Sequence, residues 1–286
     1  MGRSLTLAAI SGALLSVRDV SIRFGGIVAL DRVSFDVAEG SILGLIGPNG
    51  AGKTTLFNCV TRLYRPSAGQ IIFDGRDLLG DRPHQIVSRG VARTFQNVEL
   101  FRRMTVLDNV LVGLHTEVSR TRFDWLGTAL GLPWTRRGER RARERALEAL
   151  EDVGLAGLAD RQVAGLSFGT QKAIELARAL ASRPRLLLLD EPAGGLNHQE
   201  VGELAELLRR LHSSYRLTLL LVEHHMNLVM NVSDRVVVLH FGRKIAEGSP
   251  QQVQEDRGVI EAYLGTAEAP GQSSPGHPGP TVPSAG

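Results

Sequence analysis

GPNGAGKTT, residues 47–55, is the stretch on which the fold turns. It satisfies the pattern G-x-x-x-x-G-K-[ST] through Gly47, Gly52, Lys53 and Thr54. Its flanks agree: the apolar run 42–46 (ILGLI) precedes it as a strand, and a helix-like run, 54–63, follows. A strand, a glycine-rich turn and a helix start together form a phosphate cradle. Glycines let backbone N–H groups curl around an anion, and the helix N-terminus adds partial positive charge. The expected nucleotide-contacting set is Gly47, Pro48, Asn49, Gly50, Ala51, Gly52, Lys53, Thr54 and Thr55. Within it, Lys53 can reach the β- and γ-phosphates and the Thr54 hydroxyl can ligate Mg²⁺.

Downstream, residues 186–192 read LLLLDEP. Four apolar residues bury a strand, and the first polar groups emerge at its C-terminal end, where open α/β sheets bind ligands. Asp190 is placed to hold Mg²⁺, and Glu191 to polarise an attacking water as general base.

Around these two motifs the chain alternates. Strand-like runs at 14–22, 33–37, 42–46 and 71–73 precede a stretch, 84–182, that reads mostly helical, with its clearest helix at 139–153. Strands resume at 186–189, 217–222, 236–239 and 244–246, separated by helical runs near 199–212 and 225–231. Short apolar strands alternating with helices indicate an α/β fold whose parallel sheet is buried on both faces. Residues 1–13 read as a loose leader. The tail from 266 holds five of the twelve prolines among Gly and Ser and reads as disordered.

Composition bounds the rest. With 286 residues and 43% hydrophobic, the chain can bury a sizeable core, which excludes intrinsic disorder and a disulfide scaffold. Cys59 is the single cysteine, so no intrachain disulfide is possible. A net charge of +3 gives no strong push toward nucleic acid. The longest uncharged stretch near the start, 5–17, is too short for a membrane span, which needs about 20 apolar residues. A soluble chain is expected.

Together with LSFGTQ (166–171) just upstream of the acidic strand, the two motifs resemble an ABC transporter ATPase, whose signature is LSGGQ. The resemblance covers about 14–265, and departs from the signature at Phe168 and Thr170. It implies a P-loop NTPase core with a mixed or parallel sheet, an antiparallel N-terminal β region and a helical subdomain inserted at about 97–182. It further implies that Ser167 and Gly169 contact the γ-phosphate held by a second subunit, sandwiching ATP in a head-to-tail dimer. Gln96, in RTFQN, looks like the Q-loop glutamine that meets Mg²⁺ or water. His224, after LLLVE, looks like the switch histidine, Asn197 falls on the D-loop, and Phe24, in RFGG, resembles the aromatic that stacks on adenine. For Phe24 the alternative is ordinary core packing, and for His224 a buried or solvated histidine.

RFGGIVALDRVSF (23–35), RTFQNVELF (93–101), EPAGGLN (191–197) and IEAYLG (260–265) look like the ATP-binding subunit of branched-chain amino-acid importers. The resemblance implies two membrane permease subunits, an extracytoplasmic solute-binding protein, a place on the cytoplasmic face of the membrane and no nucleic-acid partner. Whether the dimer is of one chain or two stays open. So does the cargo, with urea or short amides as the alternative, and beyond that an exporter, a lipid transporter or a nucleic-acid-associated ATPase. An insertion at 115–138 carries Phe123, Trp125 and Trp134, which either face the membrane or pack a local helix pair.

Overall fold

The computed structural model describes residues 12–94, 99–114 and 133–264. Its strands are β1 (Ala13–Phe24), β2 (Ile27–Ala38), β3 (Ile42–Ile46), β4 (Ala68–Phe73), β5 (Arg76–Asp77), β6 (Val91–Arg93), β7 (Leu186–Asp190), β8 (Thr218–Val222), β9 (Arg235–His240) and β10 (Arg243–Gly248). The helices are α1 (Lys53–Val60), α2 (Pro83–Ser88), α3 (Val106–Val112), α4 (Pro133–Asp152), α5 (Phe168–Ala181), α6 (His198–Tyr215), α7 (Met226–Val232), α8 (Pro250–Glu255) and α9 (Arg257–Leu264).

Two sheets result. The first is antiparallel, in the order β2-β1-β4-β5, and the second runs β10-β9-β3-β8-β7-β6. In the second, β9, β3, β8, β7 and β6 are parallel and β10 closes one edge antiparallel to β9. Every residue of β3, β7 and β8 is buried, which explains why their sequences are apolar without alternation. The pleat divides each strand between two cores. Leu186 and Leu188 join Leu43, Leu45, Leu220 and Val222 against α1 and the antiparallel sheet. Leu187 and Leu189 join Ile42, Ile46, Leu219 and Leu221 against helices α3 to α7 on the other face. Asp190 continues the α1-facing set by the period of two.

Three sequence expectations shift. The run 84–182 contains β6, three residues long, too short to register as a periodicity, yet hydrogen-bonded in parallel to β7. Helix α1 stops at Val60, short of 63, because Arg62 turns into the left-handed region (φ 63) and Tyr64 N–H donates back to the Asn58 carbonyl at 2.9 Å. Helix α4 begins at Pro133, ahead of 139. Most of the leader, the tail from 266 and the aromatics Phe123, Trp125 and Trp134 lie outside the described residues and side chains. Among the described residues no helix is long and apolar enough to cross a membrane.

Close approach sets one position in the central strand. A Cβ on Gly44 would lie 2.6 Å from Val229 Cγ1 and 2.8 Å from Ser233 Oγ, so α7 reaches β3 only because glycine is there. Gly44→Ala is therefore expected to overpack this contact and destabilise the fold by about 1–3 kcal/mol, read as a lowered urea midpoint at unchanged m-value.

Candidate active site

The phosphate loop joins the end of β3 to α1 and is seated by backbone on backbone. At Gly47 (φ 152) a side chain would collide with the Leu239 carbonyl at the end of β9. At Gly52 (φ 102) a Cβ would meet the Ala29 carbonyl of β2 at 2.6 Å. The turn after β9 closes the seat: Gly242 N–H donates to the Ala51 carbonyl (3.0 Å), and Asp31 N–H donates to the Gly242 carbonyl (2.8 Å). Gly52 caps α1 without a side-chain acceptor, so the first N–H groups of that helix have no partner within it. Asn49 and Gly50 are exposed at the crest. This is an anion cradle in shape and in charge, and a nucleotide's phosphates fit it.

Lys53 is buried, and its Nζ donates to the carbonyls of Gly47 (2.6 Å) and Pro48 (3.1 Å). Burial pushes its ammonium below the ordinary lysine value, while the carboxylates of Glu191, Asp190 and Glu223 pull it back up. Those three carboxylates stand at, or one residue past, the C-terminal ends of β7 and β8; β8 lies beside β3 in the sheet and β7 beyond it. Thr54 is exposed in the first turn of α1 and Thr55 is half-buried beside it.

Asp190 is fully buried, and Arg93 Nη2 donates to its Oδ2 at 2.6 Å. Its other oxygen, Oδ1, has no hydrogen-bond partner among the described residues. Burial raises its pKa; the Arg93 guanidinium works against that rise. Glu191 follows in the left-handed region (φ 47), a conformation non-glycine residues adopt at a cost of about 1–3 kcal/mol and that concentrates at functional sites. His224 Nδ1 lies 3.9 Å from Glu191 Oε2 and 3.5 Å from Glu223 Oε2. The half-exposed His224 thus stands next to the expected base.

Glu223, not singled out from the sequence, organises this corner. Its Oε1 accepts from Ala193 N–H (2.8 Å), and Oε2 accepts from His224 N–H (2.7 Å) and His225 N–H (2.9 Å). One buried carboxylate thereby ties the turn after Glu191 to the turn carrying His224. The signal was available: an acid directly ending an apolar strand in LTLLLVE, parallel to LLLLDE. Arg93 was equally legible only as a letter in RTFQN. No group of three or more His, Cys, Asp or Glu that could hold a metal ion occurs among the described residues.

The signature segment lies elsewhere. Ser167 caps α5, its Oγ accepting from Thr170 N–H (3.2 Å) and sharing a hydrogen bond with Thr170 Oγ1 (2.9 Å). That accounts for the threonine as a second hydroxyl completing the cap. Phe168 is half-exposed, its ring against Gly195, where a Cβ would meet Cε1 at 2.8 Å, and the Lys172 ammonium sits 5.5 Å from its centroid. Lys172 Nζ also reaches the Glu191 carbonyl at 3.5 Å. Asn197 caps α6, exchanging hydrogen bonds with Glu200 in a capping box. Ser167 and Gly169 line a cleft of about 450 Å³ between α5 and α6, together with Pro192 and Leu196; no phosphate-loop residue lines it. Phe24 is not core: the residue is 43% exposed at the end of β1 and its ring meets Tyr64 edge-on with centroids 5.1 Å apart. Gln96 lies outside the described residues.

Glu223→Ala should leave three N–H groups without their acceptor and cost about 2–4 kcal/mol in chemical denaturation. A loss of under 0.5 kcal/mol would mean that the carboxylate does not organise the two turns.

The family model for the ABC transporter matches residues 30–194, and that for the branched-chain amino acid ATP-binding cassette transporter matches 243–269. BraF of Pseudomonas aeruginosa, a high-affinity branched-chain amino acid transport ATP-binding protein, is 44% identical over 90% of this chain and all of its own length. Among solved structures, the ADP conformation of MJ1267, an ATP-binding cassette of an ABC transporter, superposes with a TM-score of 0.76 at 31% identity, covering 88% of this chain and 99% of that one. A dimeric post-hydrolysis state of the cassette MJ0796, bound to ADP and Pi, gives 0.67 at 26% identity, covering 82% and 98%. The chain belongs to the ABC transporter family, as one of its nucleotide-binding, ATP-hydrolysing cassette subunits.

Proposed function

We propose that this chain powers uptake of branched-chain amino acids, as one of two ATPase subunits paired head to tail on the cytoplasmic face of the membrane. Two separate permease subunits carry the solute, delivered by an extracytoplasmic binding protein. The observation that carries this reading is the separation of two half-sites. Lys53, Asp190, Glu191 and His224 gather at the strand ends, while Ser167 and Gly169 open onto the α5–α6 cleft, which the phosphate loop does not line. A γ-phosphate on the loop then meets a Ser167 turn supplied by the other subunit. The cargo assignment draws its support from the likeness to BraF along nearly the whole chain.

In this pair Lys53 and the loop N–H groups hold the β- and γ-phosphates, and Phe24 meets the adenine. Ser167 and Gly169 of one subunit close on the nucleotide held by the other. Thr54, Asp190 and Gln96 would hold Mg²⁺, which when bound neutralises charge on the phosphate oxygens. Asp190 Oδ1, without a hydrogen-bond partner among the described residues, suits that task. Glu191 takes the proton from the attacking water, and His224, beside it, contacts the γ-phosphate and keeps the water in line. The body of the subunit is 14–265, and the segment 97–182 acts as the helical subdomain that answers to the permeases. Closure is favoured only while the γ-phosphate is present, so hydrolysis reopens the pair.

Glu191→Gln should still bind ATP and close the pair, with turnover down by roughly 10²–10⁴-fold; near-normal hydrolysis would remove the general-base assignment. Lys53→Ala should weaken ATP binding at least about tenfold by equilibrium dialysis, and unchanged affinity would remove the phosphate-loop assignment. In vesicles carrying the assembled transporter, ATP-driven uptake of labelled leucine should be competed by isoleucine and valine. Uptake of urea in its place would overturn the cargo.

A further inference from the structure

Arg93 opens the RTFQN run but has no role in the proposed function, yet its side chain joins several elements of the site. It ends β6, three residues before Gln96, and its guanidinium is almost buried (side chain 12% exposed). One tine, Nη2, donates to Asp190 Oδ2 at 2.6 Å. The other, Nη1, donates to Asn58 Oδ1 at 2.7 Å and lies 3.4 Å from Thr61 Oγ1, both on the phosphate-loop helix or its cap. The guanidinium carbon stands over the Phe57 ring, 5.6 Å from its centroid. One fork therefore spans three motif-bearing elements: β6, the end of β7 and α1. The planar, rigid spacing of the two tines makes this possible; an ammonium is a single point and cannot reach both.

The consequence for Asp190 is geometric. A buried carboxylate at a strand end is free to turn about its Cβ–Cγ bond unless one oxygen is held. Arg93 holds Oδ2, and among the described residues Oδ1 is left as the oxygen without a partner. We infer that Arg93 is a positioning residue for the nucleotide-bound metal: it fixes the rotation of Asp190 so that Oδ1 alone is presented to the metal's coordination or water shell. It ties that orientation to the phosphate-loop helix through Asn58. This rests on the reading of Asp190 as a metal-side carboxylate, and the experiment separates the two.

The protein, purified with its membrane partners, is titrated with ATP in EDTA and then with Mg²⁺ at fixed ATP. Mn²⁺ serves as a spectroscopic probe of the same position by electron paramagnetic resonance. In Arg93→Met, metal-free ATP affinity should stay within about twofold of wild type, because the phosphate loop is untouched. Half-saturating Mg²⁺ should rise roughly 10–100-fold, the usual effect of removing a partner that orients a metal ligand. The Mn²⁺ signal should broaden toward that of Mn²⁺–ATP free in solution. Arg93→Lys keeps the charge and loses the fork, and should show an intermediate rise. Asn58→Ala releases only the far tine and should raise the Mg²⁺ requirement about threefold by the same route; it carries the test if Arg93→Met does not fold. Wild-type Mg²⁺ dependence in Arg93→Met, or in Arg93→Lys and Asn58→Ala together, overturns the inference. An equal loss of metal-free ATP binding in Arg93→Met also overturns it, since the residue then supports the loop and not the metal. A wild-type protein whose ATP binding ignores Mg²⁺ overturns the inference along with the role given to Asp190.

Discussion

Between the Leu239 carbonyl at the end of β9 and the Ala29 carbonyl of β2 there is no room for a side chain, and Gly47 and Gly52 pass through that gap as bare backbone. The rest of the site depends on this seating. With the loop fixed by Gly242 N–H on Ala51 and by Asp31 N–H on Gly242, Lys53 enters α1 at a set height and its Nζ turns back into the loop. The long β1–β2 hairpin is therefore more than a cover for the second sheet. It forms one wall of the phosphate cradle, and Phe24 at its tip is carried to the same edge of the molecule.

Charge organises the other wall. Taking Lys53, Asp190 and Glu223 out of water is costly unless each is paired or hydrogen-bonded. The structure meets that requirement unequally. Glu223 is satisfied by three backbone N–H groups and serves as an internal clamp, whereas Asp190 is held by one oxygen and, among the described residues, left open at the other. The same period of two that sends Leu186 and Leu188 toward α1 sends Asp190 that way, into reach of Arg93 and Asn58. Fold and site are thus the same alternation continued by one residue.

The departures in LSFGTQ find physical reasons once α5 and α6 are packed. Thr170 supplies a hydroxyl to the Ser167 cap, and Phe168 lays its ring on Gly195 beneath Lys172, which also reaches the Glu191 carbonyl. The signature turn and the turn after β7 are in mechanical contact within one subunit. A shift of either is therefore felt by the other through packed, space-filling groups.

Much of this was written in local patterns. The phosphate loop, its lysine, the acidic strand end and the alternation of strands and helices follow from spacing and from the period of side chains, which are properties of neighbours in the chain. Burial confirmed the continuous apolar runs of β3, β7 and β8 as strands covered on both faces. What the sequence left undetermined depends on residues far apart in number. Strand β6 has three residues and exists because β7 offers it a ladder. Arg93 meets Asp190 across 97 positions, and Glu223 meets Ala193 across 30. An arginine or a glutamate in a string carries no mark of whether it will be buried, or against what. Only the packed sheet, by bringing the ends of β6, β7 and β8 side by side, decided which charges had to answer one another.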